Sequence, residues 1–238
     1  MSTNHCVVLA GGLGTRISEI TGGLTPKALV DVCGKPFLYY KISSLIEMGF
    51  DSIDVLIGQH ANQISEFLDT QQFDNVIIRC FNDGPELLGT AGSIAAVVDN
   101  LPDSFWVTYA DSYVMADTKK IDSEIFDNSK SVMVVLKNSN SVEPSNVKID
   151  IASREIVSYR KGSADSDHEW IDYGMLRFNR RTFEKIDTYP ADLYMVITDE
   201  IGRRNLYSYE TRELFWDVGT PERLEATRAE FTKRGFGE

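Results

Sequence analysis

His5-Cys6-Val7-Val8-Leu9 runs directly into Ala10-Gly11-Gly12-Leu13-Gly14-Thr15-Arg16. A short apolar run with β-branched residues, stopped by glycines, reads as a buried strand feeding a tight loop. Glycines at 11, 12 and 14 let the backbone approach a ligand closely and aim successive N–H groups at phosphate oxygens. Thr15 adds a hydroxyl, Arg16 a planar fork of donors, and Lys27, just after Pro26, a compact positive charge. The loop is not a Walker A motif, because no Gly-Lys-Ser/Thr follows at the required spacing. Nor is it the dinucleotide fingerprint, since position 17 is not glycine. The set predicts a phosphate-binding loop.

Outward from this loop, strands and helices alternate. Pro36 to Met48 has helical periodicity and stops at Gly49; Ser52 to Ile57 is a second strand; Ala61 to Leu68 is a short helix. Asn75 to Cys80 is a third strand, Thr90 to Val98 a helix, Ser104 to Ala110 a fourth strand and Ser131 to Leu136 a fifth. Such alternation implies a mostly parallel sheet covered on both faces, with ligands at the carboxyl edge of the strands. The glycine loop and Asp111 both fall on that edge.

The second half changes character. Val147 to Ile151 and Glu155 to Tyr159 predict a hairpin, Glu169 to Phe178 a long strand, and Arg181 to Ile186 and Asp192 to Arg203 helices. Leu206 to Tyr209 and Leu214 to Trp216 read as short strands. Pro221 to Lys233 reads as a helix with Thr220 as N-cap. With no repeat or linker, the expectation is a single domain of α/β class, 1–238. It is a Rossmann-like three-layer sandwich with a mixed, mostly parallel central sheet and an acceptor-side hairpin insertion.

Composition narrows the classes. The 238 residues are 42% hydrophobic, enough for a packed core. A net charge of −12 argues against nucleic acid as a partner. Three scattered cysteines, Cys6, Cys33 and Cys80, fit neither a disulfide framework nor a zinc site and predict a reducing cytoplasm. No apolar run reaches the length of a membrane span, and the N-terminus carries no leader pattern. His5, His60 and His168 lack ligand or triad spacing.

Further motifs stand in order along the chain. Gly89-Thr90-Ala91-Gly92-Ser93 opens a helix; Tyr109-Ala110-Asp111-Ser112 closes the fourth strand; Trp216-Asp217-Val218-Gly219-Thr220-Pro221 precedes the last helix. Alone, Asp111 and Asp217 read as turn residues. With the glycine loop, they resemble the sugar nucleotidyltransferase superfamily, through its LAGGxGTR and Pro-Lys signature, GTAG segment, strand-end aspartate and D-x-G-T-P segment. The heptose-1-phosphate and mannose-1-phosphate guanylyltransferase-like branch is the most similar.

The resemblance implies transfer of a nucleoside monophosphate from a nucleoside triphosphate to a sugar 1-phosphate, giving an NDP-sugar and pyrophosphate for surface polysaccharide or glycoconjugate synthesis. It implies nucleotide contacts from Leu9, Ala10, Gly11, Gly12, Gly14, Thr15, Arg16, Lys27, Gly89 and Thr90. Arg16, Lys27 and Lys161 take catalytic roles, and Asp111 and Asp217 bind Mg²⁺. Residues 1–136 would serve mainly the nucleotide and 137–238 mainly the sugar phosphate. Lys161 would neutralise the acceptor phosphate; Arg160 is its rival, because the acidic residue usual before that lysine is missing. Asn146, Asp172 and Gly174 would face the sugar, with Tyr173, bulkier than usual, reshaping the pocket. GTP is the favoured donor; CTP, UTP and dTTP stay open, with the choice resting on Gln59 and the loop from Asp83 to Gly89. A non-sugar acceptor, a non-catalytic nucleotide-sugar sensor and a homo-oligomer also stay open. A glycosyltransferase fits less well, since Asp111-Ser112-Tyr113 stands where a D-x-D would be expected.

Overall fold

The computed structural model describes residues 4–12, 22–23, 25–58, 61–125, 127, 129–138, 144–161 and 167–237. Gly14, Thr15, Arg16, Gln59 and His60 therefore lie outside the described residues.

In chain order the strands are β1 (His5–Leu9), β2 (Asp31–Val32), β3 (Lys35–Pro36), β4 (Ser52–Ile57), β5 (Ile77–Asn82), β6 (Ser104–Tyr109), β7 (Ser112–Tyr113), β8 (Ser131–Lys137), β9 (Val147–Ile149), β10 (Ile156–Tyr159), β11 (Trp170–Asn179), β12 (Leu206–Thr211) and β13 (Trp216–Asp217). The α-helices are α1 (Phe37–Glu47), α2 (Ala61–Thr70), α3 (Thr90–Ala96), α4 (Thr118–Glu124), α5 (Leu193–Gly202) and α6 (Pro221–Lys233). They fall into two compact units interleaved along the chain. The first takes Met1–Leu87, Thr108–Met115 and Phe215–Glu238; the second takes Leu88–Val107 and Ala116–Leu214. Strand β6 thus contributes its last residues to the first unit and its earlier ones to the second.

In the first unit β1, β4 and β5 pair in parallel, with Leu9 beside Leu56 and Ile57 beside Asn82. Every residue of β1 and β4 is buried, the pattern of strands covered on both faces. Helix α1 buries Phe37, Leu38, Ile42 and Leu45 and is stopped by Gly49 at φ +90°. Helix α6 begins as expected: Thr220 accepts the N–H of Arg223, and Pro221 occupies the first turn. Its Leu224 and Phe231 pack with Val30, Val32, Phe37, Tyr40, Tyr113 and Val218. Burying each large apolar side chain there stabilises the unit by about 1.5–3 kcal/mol.

In the second unit β8 pairs antiparallel with β11 and parallel with β12. The expected hairpin is present as β9 and β10, turning through Arg154 at φ +61°. The register of β11 shifts between Asp172 and Leu176, around Gly174 at φ +80°. Such a bulge re-aims side chains locally. Arg177 is 1% exposed and ties β11 to α4, donating to Asp122 Oδ1 at 2.6 Å and to the Ile125 carbonyl at 3.1 Å.

The α/β class with a mixed sheet agrees with the sequence. The strand expected at Leu214 to Trp216 is found one step on, at Trp216–Asp217, and other local readings also differ. Strand β5 starts two residues late, because Asn75 adopts φ +60° in a turn. Arg181 to Ile186 forms one 3₁₀ turn, Arg180–Thr182, not a helix. Helix α4 was not expected. Among the described residues no helix is long and apolar enough to cross a membrane.

Candidate functional site

The first unit assembles the glycine loop and the two aspartates. At the end of β1, Ala10 N–H donates to the Leu56 carbonyl at 2.8 Å, and Leu9 accepts from Ala110 N–H at 3.0 Å. Gly11 then faces Gly58 at the end of β4; a Cβ on Gly58 would lie 3.3 Å from the Gly11 Cα and O atoms. The Asp83 carboxylate stands 3.6 Å from the point a Gly11 Cβ would take. Gly12 is exposed, with nothing within 4 Å of its own Cβ position. The backbone at Gly12 is thus open just past the end of a strand, an arrangement suited to a phosphate cradle.

Asp111 follows β6 in a tight turn, and β7 comes next. Antiparallel pairing of β7 with β13 sets Asp217 opposite Ser112, and Val218 N–H donates to the Asp111 carbonyl at 3.1 Å. Two carboxylates remote in sequence are thereby neighbours. Asp111 Oδ1 accepts from Ser112 Oγ at 3.1 Å, and Oδ2 pairs with Lys27 Nζ at 2.5 Å. Asp217 Oδ1 accepts from Gly219 N–H at 2.7 Å, and Oδ2 pairs with Arg223 at 2.8 Å. Thr227 Oγ1 donates to the Asp217 carbonyl at 2.7 Å. Burial pushes the Asp217 carboxyl above the usual carboxylate range, and the charge of Asp111 adds to this; Gly219 N–H, Arg223 and Lys27 oppose it. Lys27 opens the 3₁₀ turn Lys27–Leu29, and its side chain is only 14% exposed.

Among the described residues no group of three His, Cys, Asp or Glu side chains is placed to hold a metal. Magnesium is bound through one or two carboxylates plus substrate phosphates and water. The pair Asp111 and Asp217 has this donor chemistry.

The second unit holds the remaining expected residues. Gly89 sits at φ +77° before α3. Thr90 Oγ1 accepts from Leu193 N–H at 2.7 Å, and Ala91 N–H donates to the Ala191 carbonyl at 2.9 Å. The Gly89-Thr90 segment is thus fastened to the turn Ala191-Asp192-Leu193. Lys161 Nζ pairs with Asp192 Oδ2 at 2.7 Å, and Asp192 caps α5 by accepting from Tyr194 N–H. Burial raises the Asp192 carboxyl, yet Lys161 and the Tyr194 N–H outweigh it and the net shift is downward.

Asn146 and Asp172 are adjacent: Asp172 N–H donates to Asn146 Oδ1 at 3.0 Å. Both Asp172 carboxylate oxygens are engaged, Oδ1 by Gly174 N–H at 2.8 Å and Oδ2 by the Tyr159 hydroxyl at 3.2 Å. Tyr173, expected to reshape the sugar pocket, is buried. It is 1% exposed, because strand alternation turns it to the face opposite Asp172. A cavity of about 700 Å³ in this unit is lined by Asp192, Arg181 and Lys185 among others, and by none of the expected site residues.

Reading the sequence alone missed Arg223, Asp192 and Tyr159. Arg223 had a usable signal: it lies in the first turn of a helix capped by Thr220, within reach of Asp217 just ahead of the cap.

A family model described as Nucleotidyl transferase matches residues 5–234. The chain is 23% identical over 224 residues to the mannose-1-phosphate guanylyltransferase catalytic subunit beta of Drosophila pseudoobscura pseudoobscura, covering 92% of this chain and 60% of that protein. It therefore spans about 60% of the length of the curated relatives it matches. Among solved structures it is similar to HddC from Yersinia pseudotuberculosis complexed with GMP-PN, with TM-score 0.80, 24% identity, and coverage of 96% of this chain and 100% of that one. It is also similar to the inositol-1-phosphate CTP transferase from T. maritima, with TM-score 0.80, 18% identity, and coverage of 100% and 98%.

Proposed function

The chain belongs to the nucleotidyl transferase family, and on that premise we propose that it transfers a nucleoside monophosphate from a nucleoside triphosphate to a sugar 1-phosphate, releasing pyrophosphate. The observation that carries this reading is the meeting of Asp111, Asp217 and Lys27 in one compact unit.

In the proposed reaction an oxygen of the sugar phosphate attacks the α-phosphorus, the bond from that phosphorus to the bridging oxygen breaks, and pyrophosphate leaves with the electron pair. Catalysis of such a step rests on alignment and charge stabilisation more than on covalent chemistry. Magnesium held by Asp111 and Asp217 would neutralise charge on the phosphates. Leu9, Ala10, Gly11, Gly12 and Gly14, with Thr15 and Arg16, would cradle the triphosphate. Lys27 would meet its negative charge, and Gly89 and Thr90 would line the nucleoside. Lys161 would receive the acceptor phosphate, while Asn146, Asp172 and Gly174 would face the sugar. Asp172, with each oxygen fixed by one donor, retains lone pairs to accept from sugar hydroxyls.

GTP with a hexose or heptose 1-phosphate is the favoured pair, supported by the guanylyltransferase relatives and by the GMP-PN bound to HddC. Residues 1–136 are read as serving mainly the nucleotide and 137–238 mainly the acceptor within one nucleotidyltransferase domain. The three free cysteines support a reducing cytoplasm as the site of action.

The test is pyrophosphate release with magnesium, crossing GTP, CTP, UTP, dTTP and ATP with a panel of sugar 1-phosphates and inositol 1-phosphate. Release that requires one triphosphate and one sugar phosphate is expected. Release only with inositol 1-phosphate moves the acceptor class. No release with any pair, from protein that binds a triphosphate by calorimetry, favours a sensor.

A further inference from the structure

Both carboxylates assigned to magnesium are already paired with side-chain cations, and the two pairings differ. Arg223 approaches Asp217 Oδ2 from helix α6, whose first turn is fixed by the Thr220 cap. Lys27 reaches in from a 3₁₀ turn and pairs with Asp111. Its Nζ is 2.5 Å from Asp111 Oδ2. A Cβ placed on Gly219 would fall 3.5 Å from that same Nζ and 2.7 Å from Asp217 Oδ1. The ammonium is thus paired with Asp111 and close enough to Asp217 for its charge to be felt there. The lack of a side chain at Gly219 is what leaves this space.

A divalent cation on Asp111 is repelled by an ammonium held on the same carboxylate in a partly buried site, so Lys27 weakens metal binding for as long as it stays there. Metal binding is tighter once Lys27 has moved off Asp111. Its side chain is mostly buried, so it needs a new anionic partner close by. Triphosphate oxygens offer one.

We propose that Lys27 and magnesium compete for Asp111, and that a triphosphate resolves the competition by drawing Lys27 onto its phosphates, so that metal and triphosphate bind with positive coupling through this one side chain. The inference rests on the metal and phosphate roles assigned above. It adds that Lys27 works as the resident counter-ion of the acidic pair as well as a phosphate ligand. Linkage makes the coupling reciprocal: triphosphate must tighten metal binding by the same factor by which metal tightens triphosphate binding. In the absence of metal, Asp111 holds Lys27 back from the triphosphate and so weakens its binding.

The experiment uses the whole chain and two binding measurements. Mg²⁺ is titrated by calorimetry, and Mn²⁺ by electron paramagnetic resonance, into nucleotide-free wild type, Lys27→Met and Lys35→Met. Lys35, whose ammonium sits 3.9 Å above the Tyr39 ring, is a control for net charge in the same unit. Lys27→Met should bind metal on the order of tenfold more tightly, within the range usual for coupled sites, and Lys35→Met should match wild type. In the second measurement GTP, and inorganic triphosphate as a base-independent probe, are titrated in EDTA into wild type, Asp111→Asn, Lys27→Met and the double variant. Asp111→Asn should tighten metal-free binding several-fold, and the gain should vanish in the Lys27→Met background. Unchanged or weaker metal binding by Lys27→Met, or an equal gain from Asp111→Asn with and without Lys27, overturns the coupling while leaving the assigned reaction standing. Wild type that binds neither metal nor triphosphate overturns both.

Discussion

The backbone carbonyl of Ala191 occupies the place that a side chain on Gly89 would need. A Cβ there would also lie 2.9 Å from both the Ala191 nitrogen and the carbonyl carbon, and Gly89 already sits at φ +77°. Steric exclusion and backbone conformation thus demand glycine together. Gly89→Ala should force apart Thr90 and Leu193, whose hydrogen bond is 2.7 Å long. The expected cost is about 2–3 kcal/mol of stability, since strain at a special backbone conformation adds to a lost buried contact. Urea denaturation measures the loss. A rise in the KM for triphosphate that survives in the folded fraction would tie this segment to the nucleoside; unchanged stability would show that the Ala191 turn yields easily.

Lys41 is fully buried, and Nζ donates to Thr108 Oγ1 at 2.7 Å. Burial lowers its pKa to about 8, against the pull of Cys6 and Asp111 in the other direction. At neutral pH folded and unfolded chains both carry the proton, and the folded one bears the cost of a buried charge. From pH 8 toward 10.5 the unfolded chain retains a proton that the folded chain gives up, so stability rises with pH across that window. Lys41→Met keeps the shape and removes the charge. It should gain on the order of 2 kcal/mol at pH 7, a rise of roughly 4–8 °C in Tm for a chain of this size. The advantage should shrink steadily above pH 8. Equal Tm differences at pH 7 and pH 9.5 would show that the charge is not the cause.

Why Lys41 escapes a reading of the sequence is instructive. It stands one turn after Phe37 and one turn before Leu45, on the buried stripe of α1, where a lone lysine is easily taken for a flank of the apolar face. Elements with strong local signals were legible. β1 and β4 matched because both are short, mostly apolar and bounded, and α6 matched because Thr220 and Pro221 mark its start. Helix α4 was not legible: only Thr118 and Ile121 of its seven residues are buried, too few to show a period, and Arg177 from another strand anchors it. The aspartates were legible as motifs, but their partners were not. The β7–β13 pairing that joins them is two residues long and made by tertiary packing. Arg223 and Asp192 become relevant only once their helices are placed beside Asp217 and Lys161.

Asp54 is completely buried in β4 between His5 and Arg79. His5 Nε2 lies 3.0 Å from Oδ2, and Arg79 donates to both oxygens at 2.7 and 2.8 Å. Burial alone would raise its pKa, but the His5 and Arg79 contacts prevail and hold the carboxyl below the ordinary range. A depressed carboxylate stabilises the fold above the ordinary carboxylate pKa, and the contribution fades as pH falls through the lowered value. Asp54→Asn should therefore cost on the order of 2 kcal/mol at pH 7. That sits below the usual cost of breaking a buried pair because Arg79 is 40% exposed and partly screened. The gap from wild type should narrow below about pH 4. Denaturation curves at pH 7 and pH 3 that show the same gap would mean the loss is one of packing.

Lys161 and Asp192 form an exposed ion pair, 65% and 50% accessible, so the pair itself contributes little to stability. Its value lies in aim. Asp192 is fixed as the N-cap of α5, and Lys161 leaves the hairpin at the end of β10 pointing to it. If Lys161 receives the acceptor phosphate, Lys161→Ala should raise the KM for sugar phosphate about tenfold or more, as loss of a charge-assisted contact does, with the KM for triphosphate little changed. Arg160→Ala should have the smaller effect. Asp192→Asn separates aim from charge. It frees the ammonium but keeps a cap able to accept from Tyr194 N–H, so α5 should stay intact and the KM for sugar phosphate should move only a few-fold. Initial-rate measurements with each substrate varied in turn decide the matter. A silent Lys161→Ala beside a strong Arg160→Ala would pass the acceptor phosphate to Arg160, one residue nearer the strand.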